Sequence, residues 1–146
     1  MEKRLVKLRL DEIVPYENNP RKNKKAVGIV AESIEQTGYN NPIIVDENRV
    51  ILAGHTRRLA LMKTGETEAE VLQIFGMSED QKKKYRLLDN KAGEFSSWDY
   101  VILTEELAGL EWDGLNLDWG LDKDVEDVEV GEKKKGHKCP ECGFEW

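Results

Sequence analysis

The chain has 146 residues, 22 basic and 29 acidic, with a net charge of −7 and 39% hydrophobic residues, which suits one compact domain with a tail and argues against a second full domain. No stretch reaches the roughly 20 apolar residues of a membrane-spanning helix, and residues 1–4 lead into a charged strand pattern instead of a signal-peptide core, so a cytoplasmic protein without a membrane partner is expected. Residues 1–104 carry 17 basic against 16 acidic groups, residues 105–132 carry 1 against 11, and residues 133–146 carry 4 against 2, so the acidic total excludes nothing about nucleic acid.

Residues 5–10 alternate, with Val6, Leu8 and Leu10 on one side and Leu5, Lys7 and Arg9 on the other, the period of a half-buried strand. Residues 11–21 contain Pro15, Asn18, Asn19 and Pro20 and read as an irregular connection with one helical turn at most. Val27, Val30, Ala31 and Ile34 recur at helical spacing before Gly38, which predicts an amphipathic helix. Residues 42–46 and 49–53 are β-branched runs around Glu47 and Asn48, a hairpin with a tight turn. Residues 55–64 contain no breaker and stop at Gly65, predicting a short helix, and a strand follows over about 69–75.

Ser78 with Gln81 forms a capping box opening a helix whose Tyr85, Leu88 and Ala92 share a face. Ser96 with Asp99 opens another, striped by Tyr100, Leu103, Leu107 and Leu110. Residues 111–136 are an acidic segment and linker with Trp112 and Trp119, read first as packing a tryptophan on the body and second as an acidic mimic of DNA. Lys22, Lys24, Lys25 and Lys82, Lys83, Lys84 read first as solvated helix faces; on one shared surface they would contact a phosphate backbone. The order β, α, β, β, α, β, α, α predicts an α+β domain over residues 1–110, a small mixed sheet with flanking helices.

The junction Leu52-Ala53-Gly54-His55-Thr56-Arg57-Arg58 runs from a strand through a glycine straight into a helix. Free amides of a first helical turn, a glycine that admits close approach and two arginines are the parts of an anion site; the alternative is an ordinary strand-turn-helix with solvated arginines. At the C-terminus, residues 137–146 hold Cys139-Pro140-Glu141-Cys142-Gly143, which resembles one knuckle of a zinc ribbon. Cys139, Cys142 and His137 give three ligands of the four that tetrahedral zinc takes, so either a second copy completes the set across a homodimer or the element is a remnant.

Asn19-Pro20-Arg21, then Glu32-Ser33-Ile34 with Gly38-Tyr39-Asn40-Asn41-Pro42-Ile43, then Gly54 to Ala60 before Gly65, follow one another as in the N-terminal domain of ParB-like proteins. Over about residues 4–110 the chain resembles that domain of the ParB/sulfiredoxin superfamily. Leu87-Leu88-Asp89-Asn90-Lys91 and Ser97-Trp98-Asp99 look most like its phage and mobile-element members. The resemblance implies a nucleotide, CTP or ATP with Mg²⁺, with Gly38, Asn41, Pro42 and Ile43 at the base. It places Gly54 and Arg57 at the phosphates and Asn90 at Mg²⁺, with Asp89 where the family has glutamate. Arg21 of the first motif and His55, Thr56 and Arg58 of the box join that set. The chain departs from the CTP-binding pattern at His55, Leu59 and Gly93.

The sulfiredoxin branch needs a cysteine where this chain has His55, so its thiol chemistry is not expected. His55 would contact phosphate or cap the turn. The free-serine-kinase branch uses a loop glutamate as base, and Glu17 looks like that residue, which keeps a phosphotransferase open. A third alternative is a DNA-binding or nuclease-like module without nucleotide. Because no helix-turn-helix reader is recognisable, sequence-specific DNA contact is expected through a partner protein.

Overall fold

The computed structural model describes residues 1–111 and 117–121. In chain order it holds β1 (Glu2–Arg9), a 3-10 turn (Leu10–Glu12), α1 (Lys24–Thr37), β2 (Ile43–Val45), β3 (Ile51–Ala53), α2 (His55–Lys63), β4 (Glu68–Phe75), α3 (Glu79–Ala92), a second 3-10 turn (Gly93–Phe95) and α4 (Tyr100–Leu107). The fold is α+β, as the sequence predicts. Among the described residues no helix is long and apolar enough to cross a membrane.

The sheet order is β1-β4-β2-β3, with β1 antiparallel to β4, β4 parallel to β2, and β2 antiparallel to β3. A parallel pair needs a crossover, and here it runs through β3 and α2. Alternation places Val6, Leu8, Ala69 and Val71 with Ile43, Val45, Ile51 and Leu61 in one core, which Leu10, Ile13, Ile34 and Tyr39 complete. Strand β1 begins earlier than its alternation indicates because β4 extends far enough to pair Glu2 with Phe75 and Arg4 with Gln73. The outer edge of β3 is covered: Val14 donates to the Arg49 carbonyl at 2.9 Å and accepts from the Ile51 amide at 2.9 Å.

The β2–β3 turn is wider than predicted. Asp46 and Val50 still pair, at 3.0 Å, so Glu47, Asn48 and Arg49 form a three-residue loop with Arg49 at φ 63°. The Asp46 carboxylate holds it by accepting from the Asn48 and Val50 amides, both at 2.9 Å.

Helix α3 corrects the sequence reading most. Its capping box forms as expected, with Ser78 and Gln81 exchanging hydrogen bonds. The face it presents to the sheet, however, is charged: Lys82 and Arg86 are buried, whereas Leu88 is 65% exposed. Lys82 is therefore no solvated lysine; its ammonium meets Asp46, Glu47 and Glu79 at 2.9–3.3 Å. Lys83 and Lys84 are exposed as expected. At α4 the cap is Asp99, which accepts from the Val101 and Ile102 amides, while the Ser96 hydroxyl turns back to the Gly93 carbonyl. Leu103 is buried and Leu107 half-buried, but Tyr100 and Leu110 are exposed. Trp119 packs edge-on against Trp98 with ring centroids 5.7 Å apart, whereas Trp112 lies outside the described residues.

Candidate functional site

Strand β3 ends at Gly54, whose φ of 106° makes it the left-handed N-cap of α2. A Cβ there would sit 3.2 Å from the Ile43 Cα and 3.3 Å from the Arg57 guanidinium, so only glycine fits. Glycine also has no side chain with which to cap the helix, and no side-chain cap is present. The ladder starts with the Arg58 amide on the Gly54 carbonyl at 3.0 Å, which leaves the His55, Thr56 and Arg57 amides without a partner inside the helix. An uncapped first turn beside arginines can take an anion.

The side chains of this turn are already fastened to the fold. Arg57 Nη1 donates to the Asn41 carbonyl at 2.9 Å and the Pro42 carbonyl at 2.5 Å, which ties the segment predicted for the base to the one predicted for the phosphates. Arg58 Nε donates to the Leu10 carbonyl at 3.1 Å, and Thr56 Oγ1 accepts from Asn23 Nδ2 at 2.9 Å. A guanidinium has five N–H donors, so Arg57 and Arg58 keep capacity for a ligand. Gly38 ends α1 at φ 91°. Ile43 has its side chain fully in the core, and its amide donates to the Tyr39 hydroxyl at 2.7 Å. Burial raises the Tyr39 pKa, partly offset by that hydrogen bond and by Arg57.

His55 accepts at Nε2 from the Tyr16 amide at 3.0 Å, so it caps the 13–17 segment. Burial, then the charges of Arg86 and Arg58, push its pKa below the ordinary histidine value, which keeps the ring neutral. Glu17 follows Tyr16 directly and is exposed. Arg21 and Asn90 meet on the other side of that loop, Arg21 Nη1 donating to Asn90 Oδ1 at 2.8 Å while Asn90 Nδ2 donates to the Arg86 carbonyl at 2.8 Å. Both ends of the Asn90 amide are therefore engaged within the chain, and Asp89 is exposed beside it. An open cleft of about 390 Å³ lies there, lined by Pro20, Arg21, Leu87, Asn90, Lys91 and Glu94. It does not include Gly54 to Arg58, so the predicted residues fall into two groups.

What joins the groups was not singled out in the sequence. Arg86 lies with its guanidinium carbon 3.8 Å from the centre of the Tyr16 ring, and its Nε donates to the Ile51 carbonyl at 2.9 Å. The available signal was the spacing Lys82, Arg86, Asn90, four residues apart on one helix face. Among the described residues no cluster of three or more His, Cys, Asp or Glu side chains is arranged to hold a metal. His137, Cys139 and Cys142 lie outside the described residues.

No family model matches the chain. Over 76 residues it is 34% identical to the ParB-like nuclease domain-containing protein YnaK of Escherichia coli (strain K12), a match covering 51% of this chain and 87% of that protein. Its structure is similar to that of the C-terminally truncated chromosome-partitioning protein ParB from Caulobacter crescentus complexed with CTP-gamma-S, with a TM-score of 0.53 at 16% identity over 73% of this chain and 64% of that one. A Pnob8-like ParB-N domain gives a TM-score of 0.50 at 20% identity over 68% of this chain and 42% of that one. The chain thus spans less than two thirds of either solved structure, and the likeness to them is one of fold.

Proposed function

Because the chain belongs to the ParB-like domain family, we propose that residues 1–110 bind a nucleoside triphosphate with Mg²⁺ at the start of α2. The observation that carries this reading is the uncapped turn after Gly54, with Arg57 fastened across to Asn41 and Pro42. The amides of His55, Thr56 and Arg57 and the free donors of Arg57 and Arg58 would hold the phosphates. Gly38, Asn41 and Pro42 would flank the base, whereas Ile43, expected there from the motif, has its side chain in the core and its amide on the Tyr39 hydroxyl and would only support that segment from beneath. Asn90 would serve Mg²⁺ once Arg21 releases its Oδ1, and Arg21 would then turn to phosphate. The ParB of known structure is complexed with a CTP analogue, which supports the nucleotide class.

Calorimetric titration of the full chain with CTP, ATP, ADP and GTP, each with Mg²⁺, tests the reading. Binding of one of them, abolished in Arg57→Ala with the far-ultraviolet circular dichroism unchanged, is the expected result. No heat with any of the four, or retained affinity in Arg57→Ala, overturns it.

A phosphotransferase reading has one observation in its favour: the Tyr16 amide on His55 brings Glu17 within one residue of the α2 turn. Turnover of ATP or ADP only with a hydroxyl acceptor, lost in Glu17→Gln with binding kept, would select it. We place the domain in a DNA-associated accessory protein of a phage or mobile element, acting with a partner protein that reads DNA; the motif resemblance supports that setting. Residues 111–136 would be an acidic connection. Residues 137–146 would form a zinc knuckle through His137, Cys139 and Cys142, supported by the Cys-Pro-x-Cys-Gly pattern and tested by the zinc content of the purified chain.

A further inference from the structure

The buried face of α3 carries a cation to which the function above assigns no role. Arg86 is 7% exposed, and among the described residues no carboxylate pairs with it. A guanidinium removed from water without a counter-ion is costly. Its position is offset by the 2.9 Å bond to the Ile51 carbonyl and by the Tyr16 ring 3.8 Å away. Tyr16 then reaches α2, because its amide donates to His55 Nε2 at 3.0 Å and His55 is the first residue of that helix.

We infer that Arg86 is a positioning residue for the α2 turn: anchored on the Ile51 carbonyl, it fixes Tyr16, and the Tyr16 amide fixes the His55 ring with Nε2 as acceptor. A neutral imidazole that accepts at Nε2 carries its proton on Nδ1, so Arg86 also selects the tautomer. The burial and positive neighbours that hold His55 neutral act in the same direction. The charged groups around the ring are Arg86 from α3 and Arg58 from α2, and no carboxylate among the described residues pairs with it. The bearing of this device on nucleotide affinity rests on the reading of the α2 turn given above; the device itself does not.

Long-range proton–nitrogen correlation on the ¹⁵N-labelled full chain tests it. The chain has two histidines, and the spectrum of His55→Gln identifies by difference which signals belong to His55, so the background is the parent chain. At neutral pH the expected signature is a neutral ring protonated at Nδ1. Arg86→Lys keeps a cation but loses the planar stack, and Tyr16→Leu keeps Arg86 on the Ile51 carbonyl but removes the ring beneath it. Both should convert the signature to a mixture of tautomers, while Leu88→Ala, on the exposed side of α3, leaves it unchanged. Should Arg86→Lys fail to fold, Tyr16→Leu decides. A parent chain whose His55 ring is not protonated at Nδ1, or a folded Arg86→Lys or Tyr16→Leu chain that keeps the Nδ1-protonated signature, overturns the inference. Titration of the same proteins with CTP, ATP, ADP and GTP, each with Mg²⁺, separates the two readings: no binding of any of the four in the parent chain removes the nucleotide function and leaves the tautomer result standing.

Discussion

Helix α2 meets the sheet through Ala60 and Leu61, whereas α3 meets it through Lys82 and Arg86, and all four are at least nine-tenths buried. The first attachment is removal of apolar surface from water, which has no direction and no titrating group. The second puts an ammonium and a guanidinium where desolvation costs several kcal/mol, offset only while their partners stay in place. Burial works to lower the Lys82 pKa, but hydrogen bonds to Glu79, Glu47 and Asp46 outweigh it and the net direction is upward. The difference teaches that one sheet can bury an apolar face of one helix and a charged face of another, the second on condition that the charges keep their partners.

The contrast breaks most sharply at Lys82. Lys82→Ala leaves Asp46 buried without its cation and should cost about 4 kcal/mol in urea unfolding; a loss under about 1 kcal/mol would mean the cluster only tolerates its charges. Leu61→Ala on the other side removes apolar packing and should cost about 3 kcal/mol, with no change in how stability depends on pH.

Acid sharpens the comparison. The hydrogen bond from Lys82, the largest influence, lowers the Glu47 pKa. A depressed carboxylate contributes stability that is present above the unfolded value of about 4.3 and is lost as pH falls through the lower folded value. Amides of α3 should therefore lose hydrogen-exchange protection in that window before those of α2 do. The raised Lys82 pKa contributes below its unfolded value of about 10.4 and is lost only as pH rises through the higher folded one, so mild alkali should leave α3 docked. Ser78→Ala deletes the acceptor for the Gln81 amide and should cost about 1 kcal/mol by thermal unfolding. Lys83→Ala, on the exposed side of the same helix, should stay within about 0.5 kcal/mol of the parent chain.

The core was legible because Val6, Leu8, Ala69 and Val71 repeat at the period of a strand, and period is local information. The α2 turn was legible for the same reason: a glycine between a strand and a breaker-free run marks both a left-handed position and an uncapped helix. Helix α3 was not legible, because a search for apolar periodicity selects Tyr85, Leu88 and Ala92 and treats lysine and arginine as solvent-facing. The Arg49 turn was missed because a left-handed conformation there depends on the Asp46 carboxylate holding the loop closed. The candidate site divided in the same way, its glycine-to-helix turn visible as a motif and its Arg86–Tyr16–His55 connection invisible.

By itself the amino-acid sequence determined the order of strands and helices, which strand residues are apolar on one side, and where glycine must end or begin an element. Each of these follows from residues a few positions apart. Only the tertiary structure decided that Lys82 and Arg86 lie inside, that Arg57 spans to Asn41 and Pro42, and that Asn90 is engaged by Arg21. The physical reason is that a buried cation is acceptable only beside its acceptors, and those acceptors, Glu47 for Lys82 and the Ile51 carbonyl for Arg86, lie 35 residues away along the chain.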